Sequence, residues 1–510
     1  MNIISQSASF MFRNRLNTIE SYERETDRMQ RTQLHILLKN AARTEWGMKY
    51  DYKSIHDYAE FARRIPIQTY ETLKPYIKRM INGEENILWP SQVKWYAKSS
   101  GTTNDKSKFI PVTPEILKYC HYQGGYDTVG LYLRNNPKSS FFSRKGLILG
   151  GSHSPSPLNQ KAHCGDLSAV LIQNIPAWVN LVRIPGKQTM LMNEWESKIE
   201  AIVEQTWKKD VGSISGIPSW ILVLIRAILK RAEKQTLTDV WPNLEVFFHG
   251  GISFDPYRPQ YKDLIPSDKM HYMETYNASE GFFAIQEDPG YSSMLLMLDY
   301  GIFYEFIQVN ELDRTDNPKI IPLEEVMVGE NYAMVISTVG GLWRYLIGDT
   351  VRIVSNNPFK IEISGRTNHF INAFGEELMV DNAEKGIQIA CQKTGAEIHA
   401  YTAAPLFMLD KAKGRHQWLI EFEKTPASIE EFAQVLDQSL QSLNSDYEAK
   451  RYKDFTLQLP EIMIASKGLF LDWLKMKDKL GGQHKVPRLS NNRELIEELL
   501  RRNRENESFS

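Results

Sequence analysis

Ser99-Ser100-Gly101-Thr102-Thr103-Asn104-Asp105-Lys106-Ser107-Lys108 stands between the strand-like Trp95-Tyr96-Ala97 and Phe109-Ile110-Pro111-Val112, and its reading decides the class of fold. Glycine lets the backbone turn tightly, while hydroxyl and N–H groups offer donors to an anion. Lysines close the run. A loop of this kind suits nucleotide phosphates, with donors wrapped around oxygen and a flexible cation at hand as charge develops. Taken alone it is also an ordinary polar hairpin turn, the commoner use of a Ser/Thr/Gly cluster.

The chain around this loop is that of a soluble globular protein. Its 510 residues exceed one average domain, and 42% hydrophobic with 24% charged residues gives ample material for a core. A net charge of −1 gives no reason to expect nucleic acid or an anionic membrane as partner. The three cysteines, Cys120, Cys164 and Cys391, are scattered and odd in number, which argues against a disulfide framework and for a reducing, cytoplasmic setting. Cys120 beside His121 could suggest a thiolate nucleophile, but a buried structural cysteine is the expectation. Met1 to Leu16 lacks the pattern of a secretory signal. Ile221-Leu222-Val223-Leu224-Ile225 is too short between Pro218 and Arg226 to span a bilayer and reads as a packed helix, with an interfacial helix as the alternative.

Along the chain, Phe12 to Thr44 reads as one helix with Leu34, Leu37, Leu38 and Ala41 on its apolar face. Helical segments follow at Ile55 to Ala62 and at Thr69 to Met80, the latter broken at Pro75. Thr113-Pro114 caps a helix to about Leu133. Strand Gly146 to Leu149, helices Trp195 to Lys208 and Ile221 to Ala232, and strand Leu244 to His249 running into Gly250-Gly251 then alternate. A mostly parallel or mixed sheet covered by helices follows. From Met294 strands dominate: Met294 to Leu298, Tyr304 to Val309, Tyr332 to Thr338 and Leu342 to Leu346, the last two joined at the hairpin signal Gly340-Gly341.

Ile361 to Arg366 ends this part. Beyond it lies a compact α+β pattern: helix Val380 to Lys393, strands Glu397 to Thr402 and Gln417 to Glu423, and a helix opened by a Ser428/Glu431 capping box. Gly468 to Leu480 and Glu494 to Arg502 close the fold as helices, and Arg501 to Glu507 reads as a fraying, solvated end. The fold class is therefore α/β, with a large N-terminal domain (1–366) of helix-covered sheets and a β-rich subdomain, and a smaller α+β C-terminal domain (367–510).

Further stretches can hold chemistry. In Tyr276-Asn277-Ala278-Ser279-Glu280-Gly281 an aromatic ring can stack on a base, while the carboxylate four residues on can hold Mg²⁺ near phosphate oxygens. In Gly340-Gly341-Leu342-Trp343-Arg344-Tyr345-Leu346-Ile347-Gly348-Asp349 a carboxylate ends a strand beside a glycine, where it can accept both hydroxyls of a ribose. Gly365-Arg366-Thr367-Asn368 marks the domain boundary, and Lys485 lies on a glycine-rich turn, Gly481 to Arg488. Each has an innocuous alternative: a surface acid, a turn former, an exposed cation.

In this order the motifs resemble those of the adenylate-forming enzymes, and most closely the Gretchen Hagen family of acyl acid amido synthetases, as a bacterial-type member. Ser99 to Lys108, Tyr276 to Glu280 and Leu342 to Asp349 are similar to that family's three nucleotide motifs. The resemblance implies a mobile C-terminal domain rotating near Thr367-Asn368, and ATP and Mg²⁺ as cofactors. It implies that Ser99, Ser100, Gly101, Thr102, Thr103 and Lys108 lie at the phosphates, and that Tyr276 lies at adenine with Ser279, Tyr345, Gly250 and Gly251 completing the nucleotide site. Glu280 would act catalytically and as the metal ligand, Asp349 would bind ribose, Arg366 ribose or phosphate, and Lys485 would serve adenylation. The implied activity joins a small carboxylic acid to an amino acid through an acyl-adenylate, in a monomer. A thiol acceptor, as in acyl-coenzyme A ligases, and a non-catalytic nucleotide-binding protein are the alternatives. The acyl pocket is expected to draw on the helix after Thr113 and on Trp178 to Arg183.

Overall fold

Periodicity at the amino terminus closes into two helices, Ile3–Glu20 and Tyr22–Ala41, where the sequence suggests one. The break is at Ser21, whose hydroxyl donates back to the Thr18 carbonyl at 2.7 Å and competes with the helical ladder. Leu34, Leu37, Leu38 and Ala41 are buried as their spacing predicts. Pro75, by contrast, does not end its helix, which runs continuously from Tyr70 to Ile81. Proline removes one hydrogen bond here, and the buried stripe of Tyr70, Leu73, Ile77 and Met80 offsets that loss. After Thr113, whose side chain accepts from Ile116 N at 3.1 Å, helix continues to Asn135 through a π turn at Leu117–His121.

The computed structural model describes residues 3–508 apart from 91, 100–107, 151–155, 177–178, 181, 193, 252–253, 255–256, 313–317, 367–369, 372–375, 377, 408–413, 445–446, 449–450, 452–456, 478–485 and 491. For 3–10, 99, 156, 195, 219, 366, 370 and 506–508 it describes the backbone alone. Two compact units emerge, one chiefly Met1–Ile252 and Tyr261–Glu362, the other chiefly Ser253–Gln260, Ile363–Leu480 and His484–Ser510.

The strands in chain order are β1 (Trp95–Ser99), β2 (Lys108–Val112), β3 (Lys145–Ile148), β4 (Ser156–Pro157), β5 (His163–Gly165), β6 (Arg183–Ile184), β7 (Val211–Gly216), β8 (Val246–Gly250), β9 (His271–Ala278), β10 (Gly281–Ile285) and β11 (Met294–Leu296). They continue as β12 (Ile302–Gln308), β13 (Ile320–Pro322), β14 (Asn331–Thr338), β15 (Tyr345–Asn356), β16 (Phe359–Arg366), β17 (Phe370–Ile371), β18 (Leu378–Met379), β19 (Glu397–Phe407), β20 (Gly414–Lys424) and β21 (Glu461–Ile464). In the first unit β2-β1-β5-β4 form a small sheet, and the rest join one twelve-stranded sheet in the order β13-β12-β14-β15-β16-β11-β10-β9-β8-β7-β3-β6. Its β6-β3-β7-β8-β9 half is parallel, while the strands after β9 pair antiparallel, so the β-rich stretch extends the α/β sheet. Ile221, Leu222, Leu224 and Ile225 are buried, and no helix among the described residues is long and apolar enough to cross a membrane.

The glycine hairpin forms, but its second strand begins at Tyr345, three residues later than the alternation suggests. Leu342, Trp343 and Arg344 are instead the buried turn. Arg344 takes the left-handed backbone (φ +43°), unfavourable for a residue with a Cβ. Its guanidinium meets Glu305 of β12 (Nη2 to Oε1, 2.8 Å) and donates to the carbonyls of Ala62 (2.7 Å) and Ile65 (2.5 Å). Both ends of the pair are dry, at 3% and 0% side-chain exposure.

In the second unit β19 pairs antiparallel with β20 and β20 parallel with β21, and helices Val380–Thr394 and Ile429–Leu443 share a core with this sheet. Only half of the expected capping box forms. Ser428 accepts from Glu431 N at 3.1 Å, but its hydroxyl donates to Glu430. The last helix, Glu494–Ser508, does not fray at Arg501, because buried Asn503 donates to Ile464 O at 2.9 Å and accepts from Ser466 N at 2.7 Å.

Replacing one partner of a buried pair strands the other charge, at about 3–5 kcal/mol. Arg344→Met is therefore expected to lower the urea midpoint of the first unit substantially, with the double variant Arg344→Met/Glu305→Leu recovering much of the loss.

Candidate active site

The second and third motifs come together in one buried cluster. Antiparallel β9 and β10 carry Tyr276, Ser279 and Glu280 at their connection, while β15 carries Tyr345 and Asp349. Tyr276 donates its phenol proton to Asp349 Oδ2 at 2.7 Å, and its ring packs against Phe283 with centroids 4.9 Å apart. Asp349 does not end its strand, since β15 runs on to Asn356. Gly348, at φ +87°, lets the strand bulge against β14 and turns the carboxylate towards Tyr276.

Tyr345 links these residues to the first motif. Its phenol is pushed well above the usual range by burial, then by the charge of Glu280, by Tyr70 and by Asp349, so it remains a neutral donor. Tyr70 accepts from Phe109 N at 2.9 Å, and Lys108 Nζ lies 5.9 Å from the Tyr70 ring centre. Lys108 in turn pairs with Ser99 across β1 and β2, closing the hairpin whose connection is residues 100–107. Gly250 pairs with Thr275 on β9, where a Cβ would fall 2.3 Å from the Thr275 carbonyl oxygen, and Gly251 (φ +81°) turns the chain away.

Lys108, Gly250, Gly251, Tyr276, Ser279, Glu280, Tyr345 and Asp349 are thus placed in the first unit. Ser100, Gly101, Thr102, Thr103 and Lys485, with the side chains of Ser99 and Arg366, lie outside the described residues, as do Trp178 and Thr367-Asn368. Two hydroxyls in the cluster, those of Ser279 and Tyr345, are buried without a hydrogen-bond partner among the described residues. Glu280 is buried beside them. Among the described residues no three His, Cys, Asp or Glu side chains gather as a metal site. Any cation at Glu280 would take its other ligands from substrate oxygen and water. Tyr70 is the contributor that sequence reading missed. No local signal marks it, because it reaches the site through the Gln68–Tyr345 bridge, where Leu346 N donates to Gln68 O at 2.9 Å.

Cys120 and His121 stand apart from this chemistry, as expected for the cysteine. Cys120 Sγ accepts from Phe282 N at 3.1 Å, and burial pushes its thiol up to about 12, leaving no thiolate at neutral pH. His121, 4% exposed with neither ring nitrogen bonded among the described residues, is pushed by burial down to about 4.

Solved ligases share this fold. A 2-hydroxyisobutyryl-CoA ligase, solved in its postadenylation state, superposes with a TM-score of 0.60 at 11% identity, over 93% of this chain and 91% of the other. A GH3.15 acyl acid amido synthetase superposes better, with a TM-score of 0.79 at 17% identity over 96% and 95% of the two chains. In sequence, the Arabidopsis thaliana indole-3-acetic acid-amido synthetase GH3.3 is 22% identical over 93% of this chain and 91% of its own length. The models of the GH3 family N-terminal, central and C-terminal domains match residues 15–270, 295–366 and 381–494, and the chain belongs to the GH3 family.

The buried imidazole gives a pH signature. Between pH 6.5 and about 4 the unfolded chain takes up a proton at His121 that the folded chain refuses, so stability at this residue is present above the upper value and declines as pH falls. His121→Gln is expected to flatten that decline, measured as urea midpoints at pH 7 and pH 4.5.

Proposed function

We propose that this chain is an ATP-dependent, AMP-forming ligase that activates a small carboxylic acid as an acyl-adenylate and transfers the acyl group to the amine of an amino acid. One observation carries the reading: in a GH3-family chain, Glu280 and Asp349 are buried together with hydroxyls of Ser279 and Tyr345 that have no partner among the described residues. A buried hydroxyl left unbonded costs about 1–3 kcal/mol, so such a cluster suits a polar ligand.

A carboxylate is a poor electrophile. In the first half-reaction its oxygen attacks the α-phosphorus of ATP, and the bond to pyrophosphate breaks. In the second, the amine attacks the carbonyl carbon, and AMP departs with one carboxylate oxygen while the amine proton passes to solvent. Bringing anions together in the first step requires positive charge and oriented donors. Ser99 to Thr103 and Lys108 take the phosphates, Gly250 and Gly251 flank the adenine side with Tyr276, and Asp349, oriented by Tyr276, receives the ribose. Arg366 assists at ribose or phosphate. The hard carboxylate of Glu280 fits Mg²⁺, which when bound offsets phosphate charge. Lys485 approaches with a mobile C-terminal domain, 367–510, and supplies its charge as the α-phosphorus is attacked. The reading extends to a monomer, on the family likeness, and to the cytoplasm, a reducing setting in keeping with three free cysteines.

The experiment is acid-dependent ATP–pyrophosphate exchange with Mg²⁺ and a panel of aryl and alkyl acids, followed by amino acids or coenzyme A as acceptor. Exchange followed by amide formation is expected. Thioester formation would contradict the acceptor, and no exchange with any acid would overturn the ligase reading. Lys485→Ala is expected to lower exchange by about 10²-fold or more while largely sparing acyl transfer from a preformed adenylate. Equal losses in both halves would remove Lys485 from its role.

A further inference from the structure

Arg183 opens strand β6 at the edge of the large sheet, opposite Gly146 of β3. The residue is only 4% exposed, yet no carboxylate answers its charge among the described residues. Its Nε donates to Asn180 Oδ1 at 2.8 Å, its Nη2 donates to the same oxygen, and its Nη1 meets the sulfur of Met190 at 2.9 Å. The phenol of Tyr122 is the other group that influences it, and that hydroxyl already donates to Leu171 O at 2.9 Å. A guanidinium presents five N–H donors in a fixed fork, and one amide oxygen with a thioether, a weak acceptor, does not satisfy it. Among the described residues the other buried arginine, Arg344, is answered by Glu305, and the half-buried Arg15, Arg451 and Arg488 are answered by Asp127 and Asp299, by Asp437 and by Glu384. Burial disfavours the charged form of Arg183, whereas Arg15 and Arg488 hold theirs more firmly than usual.

Its position relates it to the adenylation site. Tyr122 begins the helix Tyr122–Asn135 just after Cys120, whose sulfur accepts from Phe282 N, and Phe282 closely follows Glu280 in the chain. The start of this helix thus connects the neighbourhood of Glu280, through Cys120 and Phe282, with that of Arg183, on which Tyr122 acts electrostatically.

We propose that Arg183 seats a substrate carboxylate other than the one that is adenylated, so that the acyl acid this chain takes is a diacid whose distal carboxylate lies on the guanidinium. This rests on the ligase reading above. The reacting carboxylate cannot be the partner, because its oxygen must reach the α-phosphorus and its charge vanishes in the anhydride. Guanidinium and carboxylate match in a bidentate fork, which would replace the thioether contact. The α-carboxylate of the acceptor amino acid offers the same chemistry from another source, and the test separates the two.

Arg183→Met and Arg183→Gln are compared with the unmodified chain. Without ligand, Arg183→Met is expected to raise Tm by roughly 1 °C or more, because an unanswered charge has been replaced by an apolar chain. A lower Tm would make Arg183 a structural member and overturn the proposal. In pyrophosphate exchange, glutarate, adipate and phthalate are set against their monomethyl esters. The unmodified chain is expected to favour a diacid over its half-ester by about tenfold or more, and Arg183→Gln to bring the ratio towards one with half-ester activity retained. An unchanged ratio, or half-esters used as well as diacids, overturns it. If no acid of either kind supports exchange, the ligase reading fails, and thermal stabilisation by the same diacids, which needs no ATP, decides Arg183 separately. Stabilisation lost in Arg183→Gln supports the seat; no stabilisation of the unmodified chain overturns it. Glutamate or alanine stabilising the protein through Arg183, with diacids ineffective, assigns the seat to the amino acid and overturns the diacid.

Discussion

Arg344 holds the turn between β14 and β15, and the candidate site depends on that turn. The residue sits in a backbone region that disfavours side chains, and a dry ion pair with Glu305 keeps it there, together with the carbonyls of Ala62 and Ile65. These contacts tie the hairpin to the amino-terminal helical layer on one side and to β12 on the other. Tyr345 follows directly, and Gln68 bridges to it. A buried pair of this kind adds little net stability over an apolar replacement, but it tolerates no partial loss and so fixes one geometry. The cluster of Tyr70, Tyr345, Glu280, Asp349 and Tyr276 inherits that geometry.

The candidate site is thus a meeting of strand connections rather than a single loop. β9 and β10 deliver Glu280, the bulge at Gly348 aims Asp349, and the hairpin of β1 and β2 delivers Lys108. Each strand is pinned by the large or the small sheet, so the polar groups stand on rigid supports. Asp349 and Tyr276 orient each other before any ligand arrives. In the proposed reaction, such preorganisation would stabilise charge that develops only in the transition state.

Much of this was legible in the sequence, and for identifiable reasons. The α/β alternation, the glycine hairpin and the buried stripe of Leu34, Leu37, Leu38 and Ala41 are local patterns, and local patterns survive folding. Pro75, the Ser21 break and the start of β15 were misread because tertiary burial or a side-chain hydrogen bond overrode local propensity. Among site residues, Tyr276, Ser279, Glu280, Tyr345 and Asp349 could be singled out because they fall in short ordered motifs. Tyr70 could not, because only the fold brings it to Tyr345. Leu342-Trp343-Arg344 looked like strand for the same reason: three buried positions in a row are equally the mark of a tightly packed turn.

The central claim is that the carboxylate oxygen attacks the α-phosphorus of ATP. With an acid substrate labelled in both carboxyl oxygens with ¹⁸O, and an acceptor present, mass spectrometry of the released nucleotide reads the step directly. AMP carrying one ¹⁸O atom is the result expected of an acyl-adenylate. Unlabelled nucleotide, with ADP formed and the label in inorganic phosphate, would mean attack at the γ-phosphorus and would contradict the account.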